Sequence, residues 1–171
     1  MSSYLPLMLD VSNRRILLLG GGRASAEKLR TLETLGVSVT AISRKFSDEF
    51  YGRQWLKLEE RDYRRGDLQG FDIVYAGIGG SPALESVIKE ASEIPGLLLN
   101  VIDSAEKSDF ISVSGILREN FAVFVSTMGR APGFARSIRE KIESALNLSR
   151  LDDEARAYIQ EREDRKKNQS Y

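Results

Sequence analysis

The stretch Ile16-Leu17-Leu18-Leu19-Gly20-Gly21-Gly22-Arg23-Ala24-Ser25 decides the fold. Four consecutive aliphatic residues, entered through the polar turn Ser12-Asn13-Arg14-Arg15 and closed by three glycines, read as a strand buried on both faces. From Ala24 onward Leu29, Leu32 and Leu35 recur every three residues, and Gly36 supplies a C-terminal cap, so an amphipathic helix of about three turns follows. Val37-Ser38-Val39-Thr40-Ala41-Ile42 alternates and is rich in β-branched residues, which gives a second strand. The unit is strand, helix, strand.

Within it, Gly20-x-Gly22-x-x-Ser25 fits the pattern G-x-G-x-x-small at the required place between a buried strand and a helix. The first glycine permits the tight turn, the next lets a pyrophosphate approach the backbone, and the small residue lets helix and strand pack closely. The helix N-terminus then faces the phosphates, with Arg23 and Ala24 in its first turn. An acidic residue for the adenosine ribose is absent after the second strand, which ends Ile42-Ser43-Arg44-Lys45. Arg44 and Lys45 either accept a 2′-phosphate, favouring NADP, or flank an NAD ribose held by Ser43.

Further strands are read at Leu56-Lys57-Leu58, from Asp72 to Ala76 and from Gly96 to Ile102, with a helix opened by Ser81-Pro82 and running to about Ser92. This alternation predicts an α/β fold with a Rossmann-type, mainly parallel sheet. The pattern then changes. Phe110 to Val113 and Phe121 to Val125 read as an antiparallel pair, followed after Pro132 by a helix with an apolar stripe at Phe134, Ile138, Ile142 and Leu146. The expected organisation is a dinucleotide-binding domain over residues 1–111, a small α+β dimerisation unit over 112–148, and a short helical tail, a truncated third domain, over 149–171. The stripe calls for a partner surface, and a second copy of the chain is the simplest one.

The chain has 171 residues, 25 Lys and Arg against 25 Asp and Glu, and neither cysteine nor histidine. Balanced charge gives no reason to expect nucleic-acid or acidic-membrane binding. No disulfide, thiolate or imidazole chemistry is available, and no metal site is expected. No apolar run approaches the roughly 18–20 residues that span a bilayer, and no signal peptide is recognisable, so a cytoplasmic location is expected.

Asn100-Val101-Ile102-Asp103 places a carboxylate at the C-terminal end of an apolar strand, the edge where doubly wound sheets bind ligands. Asp103 is therefore a candidate acid or base; the other reading makes it a cap for the next turn. Around Ser126-Thr127-Met128-Gly129-Arg130-Ala131-Pro132 stand Arg118, Arg130, Arg136 and Arg139, a patch suited to carboxylates, although Arg136 and Arg139 also fit the polar face of a helix.

These motifs, together with Leu5-Pro6-Leu7-Met8-Leu9-Asp10, Ala26-Glu27-Lys28, Asp109-Phe110-Ile111 and the run from Ala135 to Glu143, resemble the precorrin-2 dehydrogenases, a family that includes the N-terminal part of siroheme synthase. The resemblance spans roughly residues 4 to 147. It implies a cytoplasmic homodimer that oxidises precorrin-2 to sirohydrochlorin with NAD, NADP being the alternative cofactor. Asp103 falls on the family's catalytic aspartate. Gly20, Gly22, Arg23, Ala24, Ser43, Arg44, Lys45, Gly77 and Ile78 would bind the cofactor, and Arg118, Ser126, Thr127, Arg130 and Arg136 the tetrapyrrole carboxylates. Where the family usually has Ala-Thr-Asp or Ala-Thr-Asn, this chain has Ala76-Gly77-Ile78-Gly79-Gly80, and Val113 replaces the usual proline. Those departures motivate two alternatives: a non-catalytic tetrapyrrole or nucleotide binder, or a bifunctional dehydrogenase and ferrochelatase.

Overall fold

Side chains alternate across a sheet, so a strand of four aliphatic residues needs an apolar layer on each face. The computed structural model, which describes residues 4–168, supplies both layers. Ile16–Leu19 is β1, the centre of a five-stranded parallel sheet completed by β2 (Val39–Ser43), β3 (Leu56–Glu60), β4 (Ile73–Ala76) and β5 (Leu98–Val101) in the order β3-β2-β1-β4-β5. Ile16 and Leu18 pack with Ala26, Leu29 and Leu32 of α1 (Arg23–Thr34). Leu17 and Leu19 pack on the other face with Val87 and Ala91 of α2 (Ala83–Glu93). The order reverses between β1 and β4, which makes their carboxyl ends the topological switch point, where such sheets bind ligands.

The loop from Arg61 to Phe71 has little regular structure, and a buried carboxylate holds it. Glu90 of α2, only 2% exposed, accepts hydrogen bonds from the Tyr63 hydroxyl and from the backbone N–H groups of Gly66 and Leu68. Burial, and then the hydrogen bond to Glu90, push the Tyr63 phenol well above its ordinary pKa. Arg61 braces the same loop through Glu59 and Asp67.

The outer edge of β5 is closed by side chains. Asp109 accepts from the Leu99 N–H at 2.8 Å, Ser108 Oγ accepts from the Val101 N–H at 2.8 Å, and Asn100 Nδ2 donates to the Phe110 carbonyl at 2.8 Å. This attachment corrects the expected hairpin. Phe110 is bound beside β5, edge-on to Tyr75, and the antiparallel pair instead comprises β6 (Ser114–Leu117) and β7 (Ala122–Val125).

The chain divides into two compact units between Ile111 and Ser112. In the second unit α3 (Pro132–Ala145) packs on the β6-β7 hairpin, and α4 (Leu148–Asn168) carries charges along most of its length. Its buried apolar residues are Ile116, Ala135 and Leu148. The expected helical stripe ends early: Leu146 is an extended C-cap residue outside α3, and Phe134 is 61% exposed. Asn147 ends that interruption by accepting the Arg150 N–H through its side chain, as an N-cap does. Among the described residues, no helix is long and apolar enough to cross a membrane.

Replacing Glu90 by Ala leaves two backbone donors and a phenol without their acceptor, and each buried unsatisfied group costs about 1–3 kcal/mol. Glu90→Ala is expected to lower the urea unfolding free energy by about 3 kcal/mol; a change below about 0.5 kcal/mol would show that the loop does not depend on this carboxylate.

Candidate functional site

At the switch point the chain passes β1 and β4 with no room for side chains. Gly20 adopts φ +102°, and its N–H donates to the Ile42 carbonyl, while the Gly77 N–H donates to the Leu19 carbonyl at 2.7 Å. A Cβ on Gly20 would lie 2.4 Å from the Gly77 carbonyl oxygen. A Cβ on Gly77 would lie 2.1 Å from Ser25 Oγ and 3.0 Å from Ile102 Cδ1. Ser25 is fully buried, and among the described residues its hydroxyl has no hydrogen-bond partner. Small side chains at 20, 25 and 77 are thus one steric condition.

Gly21, the middle glycine, is also required, for a reason outside the motif. Its Cβ would meet the Lys45 carbonyl at 2.3 Å and the Phe46 ring at 2.7 Å, and its carbonyl accepts the Ser47 N–H. Phe46 is buried against Phe50, so the β2-β3 connection clamps the turn from above. Gly21 was read from the sequence as part of the glycine turn without a role of its own, and Phe46 was not a candidate; the signal for their contact is that the run holds three glycines where the pattern asks for two.

Gly22 differs from both. A Cβ there would meet nothing within 4 Å. It is the N-cap of α1, no side chain caps the helix, and its first turn holds no acidic residue. First-turn N–H groups therefore point into open space with the positive end of the helix dipole behind them. A pyrophosphate fits this cradle both in charge and in room. Arg23 is exposed and 4.0 Å from Glu27, and Ala24 packs partly against the core.

At the end of β2, the Ser43 hydroxyl donates to the Lys45 carbonyl at 2.8 Å, shaping the local turn. Arg44 is largely exposed and 3.5 Å from Asp62. Lys45 is exposed, and Ile78 packs against the apolar layer of the α2 face.

Asp103 is held by its backbone. The Ser104 N–H donates to the Val101 carbonyl, closing a turn in which Asp103 takes φ +66°. The Ser108 hydroxyl, which donates to the Ser104 carbonyl at 2.7 Å, fixes the far side of the loop. Aspartate tolerates the left-handed region better than most residues, at a cost of roughly 1 kcal/mol. Among the described residues its carboxylate has no hydrogen-bond partner, so it does not cap the following turn, and it is exposed at the carboxyl edge of the sheet. The structure thus brings Gly20, Gly22, Arg23, Ala24, Ser43, Arg44, Lys45, Gly77, Ile78 and Asp103 to one edge of one sheet. An open cavity of about 450 Å³ lies at the opposite edge, lined by Ile16, Val39 and Leu56 at the strand starts. It contains none of these residues.

The second unit holds the other candidates. The Arg130 N–H donates to the Thr127 carbonyl across a turn with Met128 at φ +54° and Gly129 at φ +76°. Ser126 Oγ accepts from the Met128 N–H and Thr127 Oγ1 from the Ala131 N–H, leaving both hydroxyl protons to donate elsewhere. Arg118 and Arg139 pair with Glu143, and Arg136 with Glu140. Arg130 is exposed and, among the described residues, in no ion pair. The expected four-arginine patch is therefore largely neutralised by the glutamates of α3. Among the described residues no group of three Asp or Glu side chains is placed to hold a metal ion.

Comparison with known proteins agrees with this geometry. The family described as "Putative NAD(P)-binding" matches residues 7–114. The chain belongs to that family. Its sequence is 34% identical over 152 residues to siroheme synthase 1 of Yersinia enterocolitica, covering 85% of this chain and 31% of that protein. It is 35% identical over 155 residues to siroheme synthase 2 of Pectobacterium atrosepticum, covering 86% and 33%. The chain thus spans about a third of the length of the siroheme synthases it matches. A solved structure of SirC, precorrin-2 dehydrogenase, superposes with a TM-score of 0.68 at 19% identity, over 84% of this chain and 72% of that one, a likeness of fold. The resemblance read from the sequence and the Rossmann-like fold are both shown, and NAD(P) is the cofactor class of the family.

The steric condition at the switch point has a direct test. Gly77→Ala is expected to lower the thermal midpoint by several degrees, equivalent to an overpacking cost of about 1–3 kcal/mol, and adding Ser25→Ala is expected to recover most of it. Equal melting of the single and double variants would mean that Ser25 does not set the space at Gly77.

Proposed function

We propose that this chain oxidises precorrin-2 to sirohydrochlorin, with NAD as the hydride acceptor. The observation that carries the proposal is Asp103, held in a strained turn at the same sheet edge as the glycine turn, with its carboxylate uncommitted. Similarity to the siroheme synthases supplies the substrate class. The reaction removes two electrons and two protons from the macrocycle, one proton leaving with the electron pair as hydride. Bound NAD supplies the site that receives the hydride.

The chain's own residues do the remainder. Gly20, Gly22 and the first-turn amides of α1, at Arg23 and Ala24, hold the pyrophosphate. Ser43, Arg44 and Lys45 border the ribose, and Gly77 and Ile78 shape the cleft at the switch point. Asp103 accepts the second proton and passes it to water. The preference for NAD is argued from Asp62, whose carboxylate beside Arg44 offsets the charge that a 2′-phosphate would need. The tetrapyrrole's carboxylates are assigned to Arg130, Arg118 and Arg136 and to the hydroxyls of Ser126 and Thr127.

We assign residues 1–111 to dinucleotide binding, 112–148 to dimerisation and 149–171 to a tail that is helical to Asn168, residues 169–171 lying outside the described residues. Support for a homodimer comes from the second unit, which leaves Val113, Phe124, Met128 and Phe134 exposed. With this reading goes the assignment to the cytoplasm, supported by the lack, among the described residues, of a helix long and apolar enough to cross a membrane.

Absorbance-monitored oxidation of enzymatically generated precorrin-2 tests the activity. Asp103→Asn keeps a residue that tolerates the left-handed backbone, so it should fold normally and lose at least about a hundredfold in kcat, the usual worth of a positioned base. NAD should be preferred to NADP. No turnover by the natural chain with either cofactor would leave the non-catalytic binder as the reading. Light scattering at micromolar concentration should give twice the 19.1 kDa chain mass; a monomer would contradict the dimer assignment.

A further inference from the structure

β2 ends at Ser43 and is followed by Arg44 and Lys45, so a carboxylate for a dinucleotide ribose has to come from elsewhere at this edge. β3 lies parallel beside β2 with Ser43 opposite Glu60, and Asp62 follows two residues later, at the same carboxyl end. Its backbone is held on both sides. The Arg61 N–H donates to the Ser43 carbonyl at 3.0 Å, and the Arg61 guanidinium donates to the Asp62 carbonyl at 3.1 Å while also binding Glu59 and Asp67. On the other side, the Tyr63 hydroxyl donates to buried Glu90. Residue 62 is thereby fixed one strand away from the place where the acid of such folds usually stands.

The other carboxylates around the end of β3 are occupied. Glu59 and Asp67 are taken by Arg61, and Glu60 accepts the Tyr51 hydroxyl at 2.7 Å. Asp62 differs. Its Oδ1 lies 3.5 Å from Arg44 Nε, its other oxygen makes no hydrogen bond among the described residues, and the side chain is 77% exposed. A pair this exposed adds little to folding, which leaves both side chains adjustable to a ligand. Lys45, next to Arg44, is exposed and in no ion pair among the described residues.

We propose that Asp62 is the ribose-binding carboxylate of this chain, supplied from the strand beside β2, and that by holding Arg44 it also turns away a dinucleotide with a 2′-phosphate. The proposal rests on the reading of the chain as a binder of NAD. A carboxylate accepts hydrogen bonds from ribose hydroxyls and repels a phosphate ester in the same place. Arg44 pairs with such a phosphate only by giving up Asp62, and Lys45 then adds to the same anion site.

The test is calorimetric binding of NAD and of NADP to the full chain, without tetrapyrrole, in the natural protein, Asp62→Ala, Asp62→Asn, and Asp62→Asn combined with Arg44→Gln. Position 62 is exposed, so the variants should melt with the natural protein, which separates lost binding from lost folding. Asp62→Ala is expected to bind NAD about tenfold more weakly, the usual worth of a hydrogen bond to a charged group. Asp62→Asn is expected to bind NADP about tenfold more tightly, on the order of relieving one phosphate–carboxylate contact near water. Adding Arg44→Gln should abolish that gain, and high salt should shrink it. Affinities for both dinucleotides that ignore Asp62→Ala and Asp62→Asn overturn the proposal and leave the cofactor reading in place. No binding of either dinucleotide by the natural chain overturns both. The expected response of the variants in a chain that oxidises no precorrin-2 upholds the assignment of Asp62 and overturns the dehydrogenase reading instead.

Discussion

The absence of room for a Cβ where β1 and β4 end is the constraint on which the first unit depends. Gly20 touches the backbone at Gly77, and Gly77 touches the buried hydroxyl of Ser25. The same contact seats the first turn of α1 against β1. It aims the helix N-terminus along the sheet edge and presses Ile102 against the helix, and so fixes where Asp103 emerges. The glycine turn and Asp103 owe their placement to one packing event.

This constraint also gives a physical meaning to the departure at residues 77–80. A side chain at position 77 would collide with Ser25, and glycine removes the collision. Among the described residues the Ser25 hydroxyl has no partner, so this packing carries an uncompensated polar group next to the glycine turn. Such a group costs about 1–3 kcal/mol when nothing satisfies it. A serine at this position keeps the turn geometry at the expense of stability.

The sequence was legible wherever a local pattern had one structural outcome. The run Ile16–Leu19 with its glycines led to the parallel sheet, and the break in alternation after Ile102 led to the hairpin and helices. The misplaced first hairpin strand has a physical source: Phe110 is apolar and looks like a strand residue, but Asp109 and Asn100 bind its segment to β5 through side-chain hydrogen bonds that composition does not reveal. Leu146 misled in the same way, since spacing alone cannot register that Asn147 starts a new helix. The placement of Gly20, Gly22 and Asp103 at the carboxyl edge of the sheet was readable from position, whereas the contact between Gly21 and Phe46 was not, because it joins segments some 25 residues apart in the chain. Likewise, the pairing of Arg118, Arg136 and Arg139 with glutamates depends on helix geometry and on a hairpin whose register was unknown.

The side chains that close the outer edge of β5 have a consequence for how this chain meets other molecules. An edge strand with free N–H and carbonyl groups is a template on which another strand can add, and the sheet can then propagate from chain to chain. Here Asp109 and Ser108 stand in for that missing strand by accepting from the Leu99 and Val101 amides of β5, and the Asn100 side chain of β5 donates to the Phe110 carbonyl. Along this margin the outward Leu99 and Val101 N–H groups are already bonded. The sheet is thereby terminated from within its own sequence, which disfavours the addition of a further strand beside β5.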